Sequence, residues 1–364
     1  MSDVSFLRFA GHRYREVLAH FQRLSQPSAR PRAVFFPSQM PAEGGSALLR
    51  AFNVAAKLRT LGWRTTVVPP QCELVQRRRI LRLEKPDLIV LQMQRHPLNR
   101  PNLYDGYPAV FDIDDADFLD PRCAQAVREC CQTSRAVTAG SRFVADWCAQ
   151  FNPNVTVLWT AAPVPKARPI PRPQDRAPVL TWAQSAPDRY PRELELVSQI
   201  IRGLAGGGVK FELRLYGVSD PGGIAALLSA AQQFAVPVKT HPFLPYDEFI
   251  DSLRHVPVGL QPIAVESPFS RGKSFGKVLA YLAADVAVVA SDALDHPLFF
   301  RHGENGLLAR SLEDWIAHAA RLLQDPEFRQ SLCDRAWQDF SHNLSTESAA
   351  EKMKAVFETA LRPR

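Results

Sequence analysis

Short apolar runs alternate along this chain with longer stretches whose apolar residues recur every three or four positions. Runs of the first kind read as buried strands, and stretches of the second kind as amphipathic helices. In the first half the runs fall at 33–36, 65–68, 87–91, 109–113, 136–139 and 155–158. Leu48, Leu49, Phe52, Ala55 and Leu58 keep helical spacing, and the helix they predict ends at Leu61-Gly62, where glycine suits a C-cap. Further helices are predicted over 72–83, 121–131 and 141–150. The pattern stops in a proline-rich, basic stretch at 163–178 and then restarts. Second-half strands are predicted at 179–182, 211–216, 236–238, 258–260 and 286–290. Helices are predicted over 192–204, 224–234, 246–255, 273–284, 312–323, 326–340 and 346–360, with Ser345 a candidate N-cap for the last.

Such alternation means βαβ units and parallel sheets. The expected fold class is α/β, with two Rossmann-like, doubly wound parallel-sheet domains facing across a cleft. The expected organisation is an N-terminal helical extension (1–30), a first Rossmann-like domain (31–165), a proline-rich linker (166–178), a second Rossmann-like domain (179–340) and a C-terminal helix (341–364). Phe6, Phe9, Val17, Leu18 and Phe21 would supply the apolar side of the extension. Ligands in such sheets sit at the carboxyl ends of the strands.

Composition narrows this picture only a little. A chain of 364 residues is too long for one ordinary core, which supports two domains. The balance of 46% hydrophobic and 22% charged residues is that of a folded globular protein. No apolar run is long enough to span a membrane, and the N-terminus lacks the apolar core of a secretion signal. The expected setting is therefore the cytoplasm, with peripheral association at the inner face of the membrane left open. A net charge of +7 favours anionic partners. The basic residues are scattered and form no aromatic-interleaved recognition motif, so nucleic acid is not expected. The densest patch, Arg77-Arg78-Arg79 with Arg82, reads as a solvated helix face. The six cysteines show neither CxxC pairing nor zinc spacing and read as free thiols.

Local motifs carry more. The stretch from Ser267 through Lys273, Lys277 and Tyr281 to Ser291 resembles the donor-binding segment of retaining GT-B glycosyltransferases of the family-4 type. There a lysine-bearing phosphate loop precedes a K-x-x-E-Y-M-A-x-G-x-P-V-V-A-S run. His302-Gly303-Glu304-Asn305-Gly306-Leu307-Leu308 resembles that family's dGenGlLv turn. Gly44-Gly45-Ser46 with Arg50 is similar to its GG-x-x-R loop, although the arginine comes later here. Lys85-Pro86-Asp87-Leu88-Ile89 is similar to its kPDvvh strand, and Asp112-Ile113-Asp114-Asp115 resembles a strand-end motif of many members. The resemblance runs from about residue 32 to about 340. It departs at Ala280, where the family has the glutamate that grips the nucleotide ribose, and at Asp285 and Ala287, where it has glycine and proline.

The resemblance implies a hexosyl- or deoxyhexosyltransferase that moves a sugar from a nucleotide-sugar co-substrate to an unidentified acceptor. It implies retention of configuration, no metal and no cofactor. The acceptor would bind the first domain and the donor the second, and the final helix would cross back to the first domain. Polysaccharide assembly is a setting by analogy. Negative charge developing on a leaving pyrophosphate needs Lys, Arg or helix amides. Arg271, Gly272, Lys273 and Ser274 fall at the start of a predicted helix, with Lys277 one turn on. Ser185 and Arg189 follow the first strand of the second half, and Tyr246 would border the base. Glu266 is a candidate for a sugar hydroxyl, with a surface acid as the alternative. Glu304 and Asn305 are candidates for the donor, with a turn role as the alternative. Asp114 and Asp115 are candidate catalytic residues beside Lys273, with N-capping of the next segment as the alternative. Gly44, Gly45, Ser46 and Arg50 are candidates for an acceptor or phosphate loop. The Asp-x-Asp pattern is also the metal motif of the other large glycosyltransferase fold, which the two-half pattern disfavours. Two rivals stay open: a nucleotide-sugar epimerase on the same scaffold, and a catalytically silent partner subunit.

Overall fold

The computed structural model describes residues 31–41 and 45–363, together with Val17, Leu18 and Phe21. The expected N-terminal helix otherwise lies outside the described residues, as does Gly44. The chain divides into two compact units, 1–161 with 346–364, and 162–345.

Unit 1 is built on six parallel strands in the order β2-β1-β3-β4-β5-β6. They are β1 (Arg32–Phe36), β2 (Arg64–Val67), β3 (Leu88–Gln92), β4 (Ala109–Ile113), β5 (Ala136–Ala139) and β6 (Val155–Val157). β3, β4 and β5 are buried along their whole length, because helices cover both faces of a parallel sheet. The helical stretch α1 joins Gly45–Ala47, a wider π turn at Leu48–Phe52 and Asn53–Thr60. It is followed by α2 (Leu74–Glu84), α3 (Pro121–Thr133) and α4 (Arg142–Cys148).

On one face, Phe35, Val54, Leu58 and Trp63 pack with Met353 and Phe357. The last two belong to the C-terminal helix, which is thus part of unit 1. Its Phe357 ring lies 4.9 Å from that of Trp63, and its Glu347 pairs with Lys57 of α1 at 2.7 Å. On the other face, Phe36, Ile80, Leu91 and Tyr104 form one cluster, and Phe111, Val127 and Val144 another.

One sequence expectation fails in α2. Arg77 is not on a solvated face but is fully buried. It donates to the Pro70 and Cys72 carbonyls at 3.0 and 3.1 Å and to Asn99 Oδ1 at 2.8 Å, and it lies over the Phe36 ring. Its helix packs on the sheet through the positions beside Ile80 and Leu81, so the first arginine of the run turns inward while Arg78 and Arg82 stay exposed.

Unit 2 repeats the plan with strand order β12-β11-β10-β7-β8-β9, again all parallel. Its strands are β7 (Val179–Ala183), β8 (Glu212–Tyr216), β9 (Val238–His241), β10 (Val258–Gln261), β11 (Ala287–Ser291) and β12 (Leu307–Ala309). The helices are α5 (Pro191–Gly206), α6 (Ala225–Gln233), α7 (Tyr246–Leu253), α8 (Gly276–Ala283), the short α9 (His296–Phe299), α10 (Leu312–Gln324) and α11 (Pro326–Asn343). The final helix, α12 (Thr346–Ala360), is the one that completes unit 1. β12 has only three residues and was not visible in the hydrophobic pattern.

The proline-rich stretch lies within unit 2. Arg168 and Arg172 clamp Asp285, with Arg168 donating to both carboxylate oxygens at 3.1 and 2.6 Å. Arg176 is buried and donates to the carbonyls of Val256, Ala284 and Asp285 at 2.8–3.0 Å.

In each sheet the connection reverses direction once. The reversal falls between β1 and β3 in unit 1 and between β7 and β10 in unit 2. Strands diverging to opposite sides leave a crevice at their carboxyl ends, where ligands bind in such folds.

Candidate functional site

At the crevice of unit 1 a polar chain links three strand ends. The Ser38 amide donates to Gln92 Oε1 at 3.0 Å, Gln92 Nε2 donates to Ser46 Oγ at 3.0 Å, and Ser46 Oγ donates to Asp114 Oδ2 at 2.6 Å. The chain of donors ends on Asp114, whose second oxygen is buried and has no hydrogen-bond partner. Burial and the neighbouring Asp115 charge raise the Asp114 carboxyl to about 6, with the Arg50 charge and the Ser46 bond pulling the other way. The Asp114 backbone is seated against Gly140, the residue after β5, where a Cβ would fall 2.6 Å from the Asp114 Cα. Only glycine allows that approach. Asp115 pairs with Arg95 at 2.7 Å, and Arg95 also holds Asp117.

One expectation is corrected here. Arg50 is no ligand of a phosphate loop: it is 2% exposed and gripped by Asp112 at 3.0 and 2.6 Å, with further bonds to the Leu158 carbonyl and Thr160 Oγ1. The π turn places it on the inner side of α1. For the same reason Asp112 is unavailable for an Asp-x-Asp metal motif, since Arg50 and Thr138 occupy its oxygens. Among the described residues no group of three His, Cys, Asp or Glu side chains is placed to hold a metal ion.

In unit 2 Tyr281 lies at the strand reversal. This fully buried α8 side chain accepts the Ala183 amide at 3.0 Å and donates to the Leu260 carbonyl at 3.4 Å. It caps β7 and β10 at the point where their pairing ends. Gly259 makes room, because a Cβ there would fall 2.9 Å from the ring. Beyond β7 the chain passes Ser185 and Arg189, both exposed, through Ala186 at φ 150°, a strained value for a residue other than glycine. Gly217, at φ +81°, lies so close that a Cβ would fall 2.0 Å from the Gln184 carbonyl oxygen.

Beyond β10 the chain carries Glu266, Arg271, Gly272, Lys273 and Ser274. Glu266 and Arg271 are exposed, and Lys273 lies over the Phe269 ring at 4.6 Å. A correction applies to the helix: α8 starts at Gly276, and Pro268–Gly272 forms a tighter 3-10 turn before it. Lys273 is extended (φ −72°, ψ 148°), so Lys273 and Lys277 do not share a helix face. Ser274 Oγ is buried without a partner.

Other donor candidates sit elsewhere. Asn305 is buried, accepting the Arg301 amide and donating to the Phe299 carbonyl and Asp339, and Glu304 pairs with Arg301 at 2.6 Å. Both close the turn before β12, on the amino-terminal side of a parallel strand, whereas the crevice is at the carboxyl side. They are turn residues. Tyr246 begins α7 with its hydroxyl buried and unpartnered, so it presents no polar atom outward. Gln92, Gly140, Glu193 and Gly259 were not singled out in the sequence, because single polar or small residues carry no periodic signal, and Tyr281 was named only as part of the 267–291 stretch, with no role of its own.

With this geometry in place, the likeness to known proteins becomes specific. Residues 192–355 match the family model described as glycosyl transferase-like. No curated protein matches the chain in sequence. Among solved structures, sucrose-phosphate synthase from Thermosynechococcus elongatus is similar at a TM-score of 0.67 and 12% identity, over 90% of this chain and 98% of that one. Anabaena HepE, solved with UDP and glucose, is similar at 0.65 and 13% identity, over 90% and 100%. A Listeria monocytogenes protein described as a UDP-N-acetylglucosamine 2-epimerase is similar at 0.59 and 11% identity, over 91% and 96%. The chain therefore has the GT-B fold of two Rossmann-like domains, and the match to the glycosyl transferase-like model falls on most of its second unit and the first part of α12.

Proposed function

We propose that this protein transfers a sugar, a hexose or deoxyhexose, from a nucleotide-sugar to an acceptor. In this reading unit 2 binds the donor and unit 1 the acceptor. The observation that carries it is the loop after β10, a strand at the reversal of the sheet, which bears Arg271 and Lys273 in the stretch that matches the glycosyl transferase-like family model. A leaving pyrophosphate needs fixed positive charge there, and these cations supply it without a metal. The UDP and glucose bound by HepE support a nucleotide-sugar as the donor class. Asp114, with one oxygen fixed by Ser46 and the other unpartnered, is fitted to orient an acceptor hydroxyl. Retention of configuration rests on the likeness of 267–291 to the retaining family. A cytoplasmic setting in polysaccharide assembly rests on analogy alone.

One observation favours a second reading, a silent GT-B subunit. Ala280, where the family carries its ribose-binding glutamate, is an apolar residue 1% exposed inside α8. The epimerase-like neighbour keeps a third in view.

The test is a thermal-shift screen against nucleoside diphosphates and nucleotide-sugars, followed by assay of diphosphate release with and without acceptor. A ligand at about 100 times its dissociation constant stabilises by roughly 2.7 kcal/mol. The expected result is a shift with one nucleotide class that is lost in Lys273→Ala. No shift with any nucleotide refutes the donor site; binding without turnover supports the silent subunit; and a rearranged sugar without transfer supports the epimerase.

A further inference from the structure

The loop after β10 is closed by a single buried carboxylate. Glu193, in the first turn of α5, is 4% exposed. Its Oε1 accepts both the Ala264 amide at 3.1 Å and the Ser270 hydroxyl at 2.7 Å. One oxygen thus ties the two ends of the segment 264–270 together. Inside the segment the Ser267 amide donates to the Ala264 carbonyl at 3.0 Å, the Arg271 amide to the Ser267 carbonyl at 3.3 Å and the Lys273 amide to the Ser270 carbonyl at 3.0 Å. A run of hydrogen bonds therefore connects Glu193 through the segment to Arg271 and Lys273. The entry to the loop is pinned separately, where Ser291 Oγ accepts the Ile263 amide at 2.8 Å.

We propose that Glu193 is the positioning residue of the donor site. It closes the 264–270 loop so that Arg271 and Lys273 meet the diphosphate in one fixed arrangement. This rests on the donor-site reading above. The carboxylate acts through the loop and does not touch the ligand. Its other oxygen, Oε2, is buried without a partner, so both ties are made through the single acceptor Oε1. A surface loop of this kind without a buried tie would sample many arrangements, and a shift of about 1 Å in a positioning group is enough to cost large factors in recognition.

The test compares Glu193→Ala with Glu193→Gln, whose amide oxygen can keep both hydrogen bonds. Binding of inorganic pyrophosphate and of UDP is measured by calorimetry, and hydrogen exchange is followed at the amides of 264–273. In Glu193→Ala the Ala264 amide should exchange at least about tenfold faster, and affinity for both probes should fall about tenfold or more. Glu193→Gln should stay within about threefold of wild type in both measurements, because the acceptor oxygen is retained. Should Glu193→Ala fail to fold, Ser270→Ala removes one of the two ties and should give the same pattern in weaker form. Unchanged exchange in Glu193→Ala overturns the closing role. Equal loss of affinity in the Gln and Ala variants overturns the positioning role in favour of charge. Wild-type protein that binds neither probe refutes the donor-site reading, while the exchange data still decide whether Glu193 closes the loop.

Discussion

Replacing Arg50 with methionine should unfold unit 1 at markedly lower denaturant. Arg50 and Asp112 are 2% and 1% exposed and joined by two hydrogen bonds. The guanidinium also satisfies the Leu158 carbonyl at 2.6 Å and Thr160 Oγ1 at 3.2 Å. Burial alone would lower the Arg50 pKa, but the Asp112 charge and hydrogen bond outweigh it, helped by Asp114 and Asp115, and the pKa is raised. Without Arg50 the Asp112 carboxylate keeps only the Thr138 hydroxyl at 2.6 Å. Breaking one partner of a buried pair costs about 3–5 kcal/mol, because a charge is left uncompensated in the interior. For a unit of this size that corresponds to a melting-point drop of roughly 6–20 °C. An Arg50→Met, Asp112→Leu double variant should recover most of the loss, since apolar replacement of a whole buried pair is often near neutral. The assay is urea denaturation of the four proteins of the cycle, with hydrogen exchange at β1, β3 and β4 to assign the loss to unit 1. A cost below about 1 kcal/mol for Arg50→Met, or no recovery in the double variant, would refute the reasoning. Intact stability together with weakened pyrophosphate binding would return Arg50 to the phosphate loop.

Three further outcomes are expected. Asp114, its carboxyl raised to about 6 by burial first and Asp115 second, favours the fold when protonated. That contribution is complete below the unfolded value near 3.8 and is lost as pH rises through about 6, so Asp114→Asn should gain on wild type between pH 4 and pH 7 by roughly 1–3 kcal/mol. A difference that does not change with pH, in denaturation at both ends of that range, would contradict it. Gly217→Ala should lose about 2 kcal/mol or more, because φ is +81° and the new Cβ would lie 2.0 Å from the Gln184 carbonyl oxygen; an unshifted melting curve would count against this. Arg77→Met should cost ~2–4 kcal/mol by stranding the Pro70, Cys72 and Asn99 acceptors. Arg82→Ala, on the exposed side of the same helix, should stay within about 0.5 kcal/mol, and equal effects of the two would restore the solvated-face reading.

Much of the fold was legible because its strands are continuous apolar runs. The runs at 109–113 and 136–139 coincide with β4 and β5, and those at 33–36 and 258–260 fall one residue short of β1 and β10. The run at 236–238 slipped, since β9 carries Lys239 and Thr240 in a strand whose middle is exposed. β12 escaped because three residues have no period. The helix expected from Lys273 begins at Gly276, where the 3-10 turn Pro268–Gly272 and the extended Lys273 delay its start.

The site divides along the same line. The chain itself determined that Asp114 and Asp115 would follow a strand directly and that Ser46, Arg271 and Lys273 would lie in the segments that leave a strand for the next helix, because the position of a residue relative to an apolar run is a local property. It could not determine which of these charges face inward. Arg50, Arg77 and Asp112 look in sequence like any surface ions, yet each is buried against partners that lie far along the chain, at Leu158, Asn99 and Thr138. Nor could it show that Glu193 meets Ala264 and Ser270, about seventy residues downstream. Those pairings arise only when parallel strands from separate βαβ units align their ends. The burial of a charge therefore depends on contacts that the tertiary structure creates and that no short window of sequence contains.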